Sequence, residues 1–345
     1  MTWPRGRMRA AVVAAPGRVE LAELPIPEPL PGHALVRVDH VGVCGTDLEL
    51  LHGTAAYVRD GRVRFPHVFG HEWSGTVVAA EGDPDGPAPG DRVVGQTMLA
   101  CRSCANCQRG RRNLCLRLRE VGLYGQQGAA AEYIRMPVDS LATLPPEVTS
   151  LDATLVEPAV TVVAALGTAG VGVGDRVAVV GTGTIGLLAV QLAARSGGHV
   201  HAVGVDPAGL ELAAALGAET TYQPGAAPPD AYDVVVEASG AAAGFATALR
   251  LAATGGRVAA VGVPTEPVTG FDAGDLVLRG VTVYGIRHGL DHYGTTIRLL
   301  AEGALEAKPL IHAVLPLERA AEAFHLLEHG RNGAPKIILS LREGA

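Results

Sequence analysis

Asp175-Arg176-Val177-Ala178-Val179-Val180-Gly181-Thr182-Gly183-Thr184-Ile185-Gly186 reads as a buried strand that runs directly into G-x-G-x-x-G and opens a helix. In that setting the glycines have separate jobs. Gly181 permits a tight turn, Gly183 lets backbone approach a pyrophosphate, and Gly186 lets helix and strand pack closely. Thr184 and Ile185 start a helical stretch that runs to Ser196, and its N-terminus faces the negative charge. The next apolar strand, Val200–Val205, leads into Asp206, 25 residues beyond Gly181. A carboxylate there accepts hydrogen bonds from both ribose hydroxyls, and Pro207-Ala208-Gly209 offers no arginine for a 2'-phosphate. The pattern therefore predicts NAD rather than NADP. A glycine-rich turn serving another ligand is the bland alternative, which the strand–turn–helix context disfavours.

Downstream, Tyr232–Val236, Gly256–Val261 and Val281–Tyr284 read as further strands, with a helical stretch at Ala241–Ala253. Strands alternating with helices predict a parallel sheet with crossover helices. Ser239 and the pair Val261-Gly262 end two of these strands, at the edge where a nicotinamide would lie. Upstream, from Met8 to about Pro145, short valine-rich runs such as Ala34–Asp39, Gly75–Ala79 and Asp91–Gly95 are cut by Gly and Pro, the texture of a β-rich region. After Tyr284 the pattern is mixed: helical at Tyr293–Glu302 and Glu318–His329, extended at His312–Leu315 and Lys336–Ser340. At 345 residues the chain exceeds one ordinary core, so two domains are expected.

All five cysteines fall into two groups. Cys101, Cys104, Cys107 and Cys115 read C-x-x-C-x-x-C plus a fourth cysteine after seven residues, so four thiolates converge on one tetrahedral ion from a single loop. Zinc is expected. Iron–sulfur spacings place the last ligand differently or follow it with Pro, and here Leu116 follows. A disulfide knot would need an oxidising compartment. Met1–Ala10 carries Arg5, Arg7 and Arg9 without an apolar core or cleavage site, so a cytoplasmic location is expected.

A formal net charge of −7 argues against nucleic acid as a partner. The one local basic run, Arg109-Gly110-Arg111-Arg112, lies inside the cysteine loop and reads as a solvated surface. The most apolar stretch, Ala159–Gly174, is bounded by Glu157 and Asp175 and diluted with Gly and Thr, so no membrane span is expected.

Cys44 stands apart in Val43-Cys44-Gly45-Thr46-Asp47, while Gly70-His71-Glu72 and Val156-Glu157-Pro158 supply other ligand types. A catalytic zinc needs three protein ligands and an open position. Singly, each motif is weak, since a lone cysteine is usually a small buried hydrophobe. Together with the four-cysteine loop they resemble the medium-chain zinc-dependent alcohol and polyol dehydrogenases of sorbitol and threonine dehydrogenase type, over nearly the whole chain.

The resemblance implies a mixed α/β fold. A GroES-like β-barrel catalytic domain would form from residues 1–156 and 288–345, with a structural zinc lobe over 97–118. A Rossmann doubly wound parallel sheet would be inserted over 157–287. It implies two zinc ions per chain, NAD, a small polar alcohol as substrate, and a homodimer or homotetramer. Cys44 and His71, with either Glu72 or Glu157, would hold the reactive zinc, and Lys336 would approach the pyrophosphate. Zinc would acidify a bound hydroxyl, hydride would pass to the nicotinamide, and Thr46 would relay the proton.

Two departures stand out. Where many relatives carry an outer relay histidine this chain has Glu49, as in sugar-oxidising relatives, and where polyol relatives often carry histidine it has Ala164. Gly70–Val78, with Asp47-Leu48 and Leu51–Thr54 upstream, is most similar to aminocyclitol dehydrogenases acting on 2-deoxy-scyllo-inosamine. The expected substrate is thus a polyol, cyclitol, aminocyclitol or sugar, with threonine or an aldose such as glucose as alternatives. Glu49, His52, Tyr57, Arg287 and His288 are candidate pocket residues. A zinc-free quinone or enone reductase would normally lack Cys44, His71 and the cysteine loop. A non-enzymatic nucleotide-binding sensor should tolerate loss of Cys44, Thr46 or His71, and none is lost.

Overall fold

Alternation along the central strands explains the parallel sheet. Val177 and Val179 point to one buried cluster with Leu187, Leu188 and Val190, while Ala178 and Val180 point to another with Tyr232, Leu249 and Leu251. A strand buried on both faces reads as a continuous apolar run, which is what helices packed on both sides of a parallel sheet require. The computed structural model describes residues 3–81, 86–269, 271–330 and 333–342.

The sheet has six strands in the order Thr220–Tyr222, His199–Val203, Arg176–Val180, Tyr232–Glu237, Ala252–Ala260, Thr282–Gly285, all paired in parallel. The order reverses between Arg176–Val180 and Tyr232–Glu237, the crevice where doubly wound sheets bind ligands. Helices Thr184–Arg195, Pro207–Ala215 and Ala242–Leu251 follow successive strands.

The second body is antiparallel for the most part. Its seven-stranded sheet runs Leu141–Thr143, Arg92–Gly95, Glu72–Ala80, His33–Val43, Lys336–Ser340, Ile311–Pro316, with Tyr133–Pro137 also pairing with His33–Val43. Strands from both ends of the chain therefore share one sheet, and Lys336–Ser340 lies against the end of His33–Val43. A short sheet of Met98–Leu99, Arg119–Val121 and Gly125–Gln126 flanks the cysteine loop.

The apolar stretch considered for a membrane span belongs instead to helix Val156–Ala169. The window Asp152–Ala169 is long and apolar enough to cross a membrane, but 67% of it is buried inside the protein. Ala159, Val162, Ala165 and Leu166 of this helix pack on Val177 and Val179, so its apolarity serves the core. The tail also differs from expectation. Glu318–His329 is not one helix but a 3₁₀ turn, helix Ala320–His325 and a π turn over Leu326–Gly330.

Candidate active site

Cys44 leaves strand His33–Val43 and caps helix Gly45–His52. Its N–H donates to Asp47 Oδ2 at 2.9 Å, and its thiol accepts from the N3 backbone, a capping box with cysteine in the usual serine role. The cap fixes Asp47, which is fully buried, and aims Asp47 Oδ1 at His71 Nδ1, 3.5 Å away. That spacing is an electrostatic contact rather than a well-aligned hydrogen bond. Burial alone disfavours the imidazolium, but Asp47 and Cys44 outweigh it and raise His71 well above the ordinary histidine range.

Glu72 begins the next strand opposite Gly42, where a Cβ would collide with Glu72 Oε2. Gly42 thus leaves the carboxylate room to turn inward. Ligand atoms of Cys44, His71 and Glu72 all lie within 4.8 Å of one another. Thiolate, imidazole and carboxylate converging at this spacing are three protein donors, the number a zinc ion with a position for another ligand takes.

Lys336 is a correction. Expected at the pyrophosphate, it is instead buried with its Nζ 2.5 Å from Glu72 Oε2. Burial opposes the ammonium, but Glu72, Cys44 and Glu157 outweigh it and raise the group. The physical reason is register: Ile337 pairs with Val43, which carries Lys336 to the start of the Cys44 cap.

Glu157 lies outside the 4.8 Å group. It accepts from His288 Nε2 at 3.2 Å. Burial opposes its charge, but His288 and the nearby His71 outweigh it and hold the carboxyl at about 2. Thr97 and Tyr293, which the sequence did not single out, tie the region together. Thr97 Oγ1 donates to the His71 carbonyl at 3.1 Å, and the Thr97 N–H donates to the Tyr293 hydroxyl at 3.2 Å. Asp47 was also missed, though its place three residues after Cys44 was a readable capping signal.

Thr46 Oγ1 sits 4.0 Å from Cys44 Sγ. Glu49 is one turn further along the helix, and burial raises its carboxyl. The Tyr57 hydroxyl lies 3.4 Å from the Thr46 carbonyl, whereas His52 turns away to Glu328 Oε1, 3.0 Å off.

A cavity of about 520 Å³ lies at the sheet's switch point, lined among others by Gly181, Gly183, Asp206 and Ser239. Gly181 has φ +108, a conformation that side chains rarely adopt, and a Cβ on Gly186 would strike its carbonyl. Both glycines are sterically required. Thr184 and Ile185 open the helix behind this turn, and Asp206 caps the next helix through the N–H groups of Ala208 and Gly209, each 3.2 Å away. Val261 and Gly262 donate their N–H groups to the Glu237 carbonyl at 2.9 and 3.1 Å.

The second thiolate group is compact. The sulfurs of Cys101, Cys104, Cys107 and Cys115 lie within 4.8 Å of one another, with Cys104 and Cys107 3.5 Å apart. Backbone N–H of Ser103, helped by Arg117, pulls the Cys101 thiol down to about 5, while burial pushes Cys107 up to about 12. Four sulfurs at this spacing supply a full tetrahedral set and suit a closed structural zinc site.

Known proteins resemble this chain over most of its length. Residues 30–146 match the alcohol dehydrogenase GroES-like domain, and residues 184–302 match the zinc-binding dehydrogenase domain. The chain is 31% identical to an L-threonine 3-dehydrogenase of Bacillus velezensis, covering 92% of this chain and 94% of that one. It is 28% identical to a sorbitol dehydrogenase of Bacillus subtilis, over 96% and 97%. Among solved structures, an alcohol dehydrogenase from Thermus sp. ATN1 superposes with TM-score 0.88 at 34% identity, over 97% of this chain and 100% of that one. A zinc-binding dehydrogenase from Sinorhizobium meliloti bound to NADP gives 0.89 at 30%, over 97% and 99%.

Proposed function

Because the chain belongs to the zinc-dependent medium-chain alcohol dehydrogenase family, we propose that it oxidises a secondary hydroxyl of a polyol, cyclitol, aminocyclitol or sugar with NAD. The protein is an oxidoreductase of CH–OH donors with zinc and a nicotinamide dinucleotide as cofactors. What supports the substrate reading is the number of polar groups around the Cys44, His71 and Glu72 group: Thr46 beside Cys44, the Tyr57 hydroxyl on the Thr46 carbonyl, and the Glu157–His288 pair.

When bound, zinc would supply Lewis acidity to an alcohol oxygen and NAD would supply a hydride acceptor. Cys44 and His71 would hold the metal, with Glu72 as third ligand, while Glu157 stays with His288. Asp47 orients the His71 ring from behind. Thr46 takes the hydroxyl proton, and Glu49 is the outer acceptor in place of a histidine. Gly181, Gly183 and the helix start at Thr184 and Ile185 would receive the pyrophosphate, with Gly186 holding helix to strand. Asp206 would bind the ribose, and Ser239, Val261 and Gly262 would border the nicotinamide half.

Residues 1–156 and 288–345 form the catalytic domain, with the zinc lobe at 97–118, and 157–287 form the dinucleotide domain. Support comes from strands of both chain ends sharing one sheet. The protein assembles as a homodimer or homotetramer through edge strand Thr282–Gly285, near which Val277 and Leu278 are 73% and 87% exposed. Five free thiols in two metal groups suit the reducing cytoplasm.

A screen of polyols, cyclitols, aminocyclitols, aldoses and threonine with each nicotinamide tests this. The highest kcat/KM is expected for a polyhydroxylated ring or chain with NAD, and Asp206→Ala should move the ratio toward NADP. NADP preference untouched by Asp206→Ala would overturn the cofactor reading. Threonine is the second reading, favoured by the 31% identity to L-threonine 3-dehydrogenase, and a threonine kcat/KM above every polyol would establish it.

A further inference from the structure

A second cavity, of about 640 Å³, shares no lining residue with the dinucleotide cavity or with the Cys44, His71 and Glu72 group. Its size falls within the range of small-molecule sites. Strand pairing builds its floor. Strands Arg7–Ala15, Arg18–Pro25 and His67–Val68 form a three-stranded sheet. Met8 lies opposite Leu24 and Val12 opposite Val68, and residues 8 and 12 share a strand face, so these four side chains point the same way. With Ile134 they give the cavity an apolar floor rooted in the core of the antiparallel body.

The rim has the opposite character. Arg62, Arg64 and Arg135 line it, and among the described residues no aspartate or glutamate does. On a chain of net charge −7 that is a local reversal of sign. The charged groups of the rim are donors only, since a guanidinium has no acceptor. Arg64 is exposed and makes no hydrogen bond or ion pair with any described residue. Arg135 spends Nη1 on the Glu28 carbonyl at 2.7 Å and keeps its other donors. Arg62 sits over the Tyr124 ring, 4.3 Å from its centroid, and its carboxylate neighbour Asp60 is 3.8 Å away with both side chains well exposed, a contact worth little. Two glutamines fix the rim to backbone: Gln126 Nε2 donates to the Arg135 carbonyl at 3.2 Å, and Gln127 Oε1 accepts from the Val68 N–H at 2.7 Å.

We propose that this cavity is a second ligand site, which binds a small amphipathic oxyanion: a carboxylate or phosphate monoester on an apolar body. Arg62, Arg64 and Arg135 take the head, because guanidinium matches either oxyanion in charge and geometry. The body lies on Met8, Val12, Leu24 and Val68, where it removes apolar surface from water. Neither zinc nor a nicotinamide takes part, so the assignment stands apart from the substrate reading.

The test is calorimetric titration of the zinc-loaded enzyme with octanoate, octyl phosphate, octanamide and acetate, in wild type, Arg64→Gln and the double variant Arg64→Gln/Arg135→Gln. Loss of a charge-assisted hydrogen bond predicts octanoate binding about tenfold weaker in Arg64→Gln and about 100-fold weaker in the double variant. Octanamide lacks the charge and acetate lacks the body, so each should bind at least about tenfold more weakly than octanoate. The tighter of octanoate and octyl phosphate identifies the head group. Binding should persist in Cys44→Ala and should not compete with the alcohol in wild-type kinetics. Arg64 has no partner within the described chain, so Arg64→Gln decides if the double variant does not fold. Equal affinity for octanoate and octanamide, no loss in Arg64→Gln, or loss of binding in Cys44→Ala would overturn the site, the last by moving the anion to the reactive metal.

Discussion

In the cysteine lobe, four thiolates come from one loop between Cys101 and Cys115 and meet within 4.8 Å with little help from the rest of the chain. The reactive group reaches the same spacing by a longer route. Cys44 is set by a helix cap, His71 by Asp47, and Glu72 by Gly42 and by Lys336 from 264 residues away. A site drawn from one loop is closed by local geometry. One assembled across a sheet can leave a side open for substrate and tune each ligand from behind.

If the two regions are independent, Cys44→Ala should cut kcat by about a thousandfold, since metal polarisation supplies several kcal/mol and each 1.36 is tenfold. Zinc should fall from two ions per chain to one, with the melting temperature nearly unchanged. Elemental analysis beside calorimetry reads this, and loss of both ions would break the separation. Asp47→Asn keeps every ligand and removes only the charge behind His71. A loss of about 10- to 100-fold in zinc affinity or activity is expected, confined to the reactive site.

Cys107→Ser attacks the other region. Metal binding there is folding energy for the loop, so apparent stability should drop and become zinc-independent. Activity should fall far less than in Cys44→Ala. About 1 kcal/mol of lost positioning corresponds to about fivefold in kcat/KM. Its route is the short sheet that carries Glu120 and the Thr97 contact to the His71 carbonyl.

The same contrast explains what was legible beforehand. The lobe could be read from spacing alone, and so could the Gly181–Gly186 turn, because both lie within one local segment. The parallel sheet followed from apolar runs alternating with helices. The placement of Lys336 could not be read, since it depends on a register between strands almost three hundred residues apart in sequence. Thr97 and Tyr293 escaped for the same reason: each is an ordinary polar residue until tertiary packing brings it behind or beside a ligand. Glu72 and Glu157 looked equivalent as carboxylates beside motif residues. Strand pairing separates them, turning Glu72 toward Cys44 and leaving Glu157 to His288.

The smallest effect is the most discriminating. The lobe touches the segment 287–293 through the Arg112–Asp291 ion pair and through Asn113 Nδ2, which donates to the His288 carbonyl at 3.5 Å. The ion pair is 32% and 56% exposed at its two side chains, so it is worth about 0–1 kcal/mol and is screened by salt. Arg112→Ala should therefore retain both zinc ions and lower kcat/KM by about twofold, with the difference from wild type vanishing at 1 M salt. A loss as large as that of Cys107→Ser would make this surface pair, rather than the folded loop, the link between the regions. No loss, even when Asn113→Ala is added, would leave the short sheet at Arg119–Val121 as the path by which a locally built metal site steadies a globally assembled one.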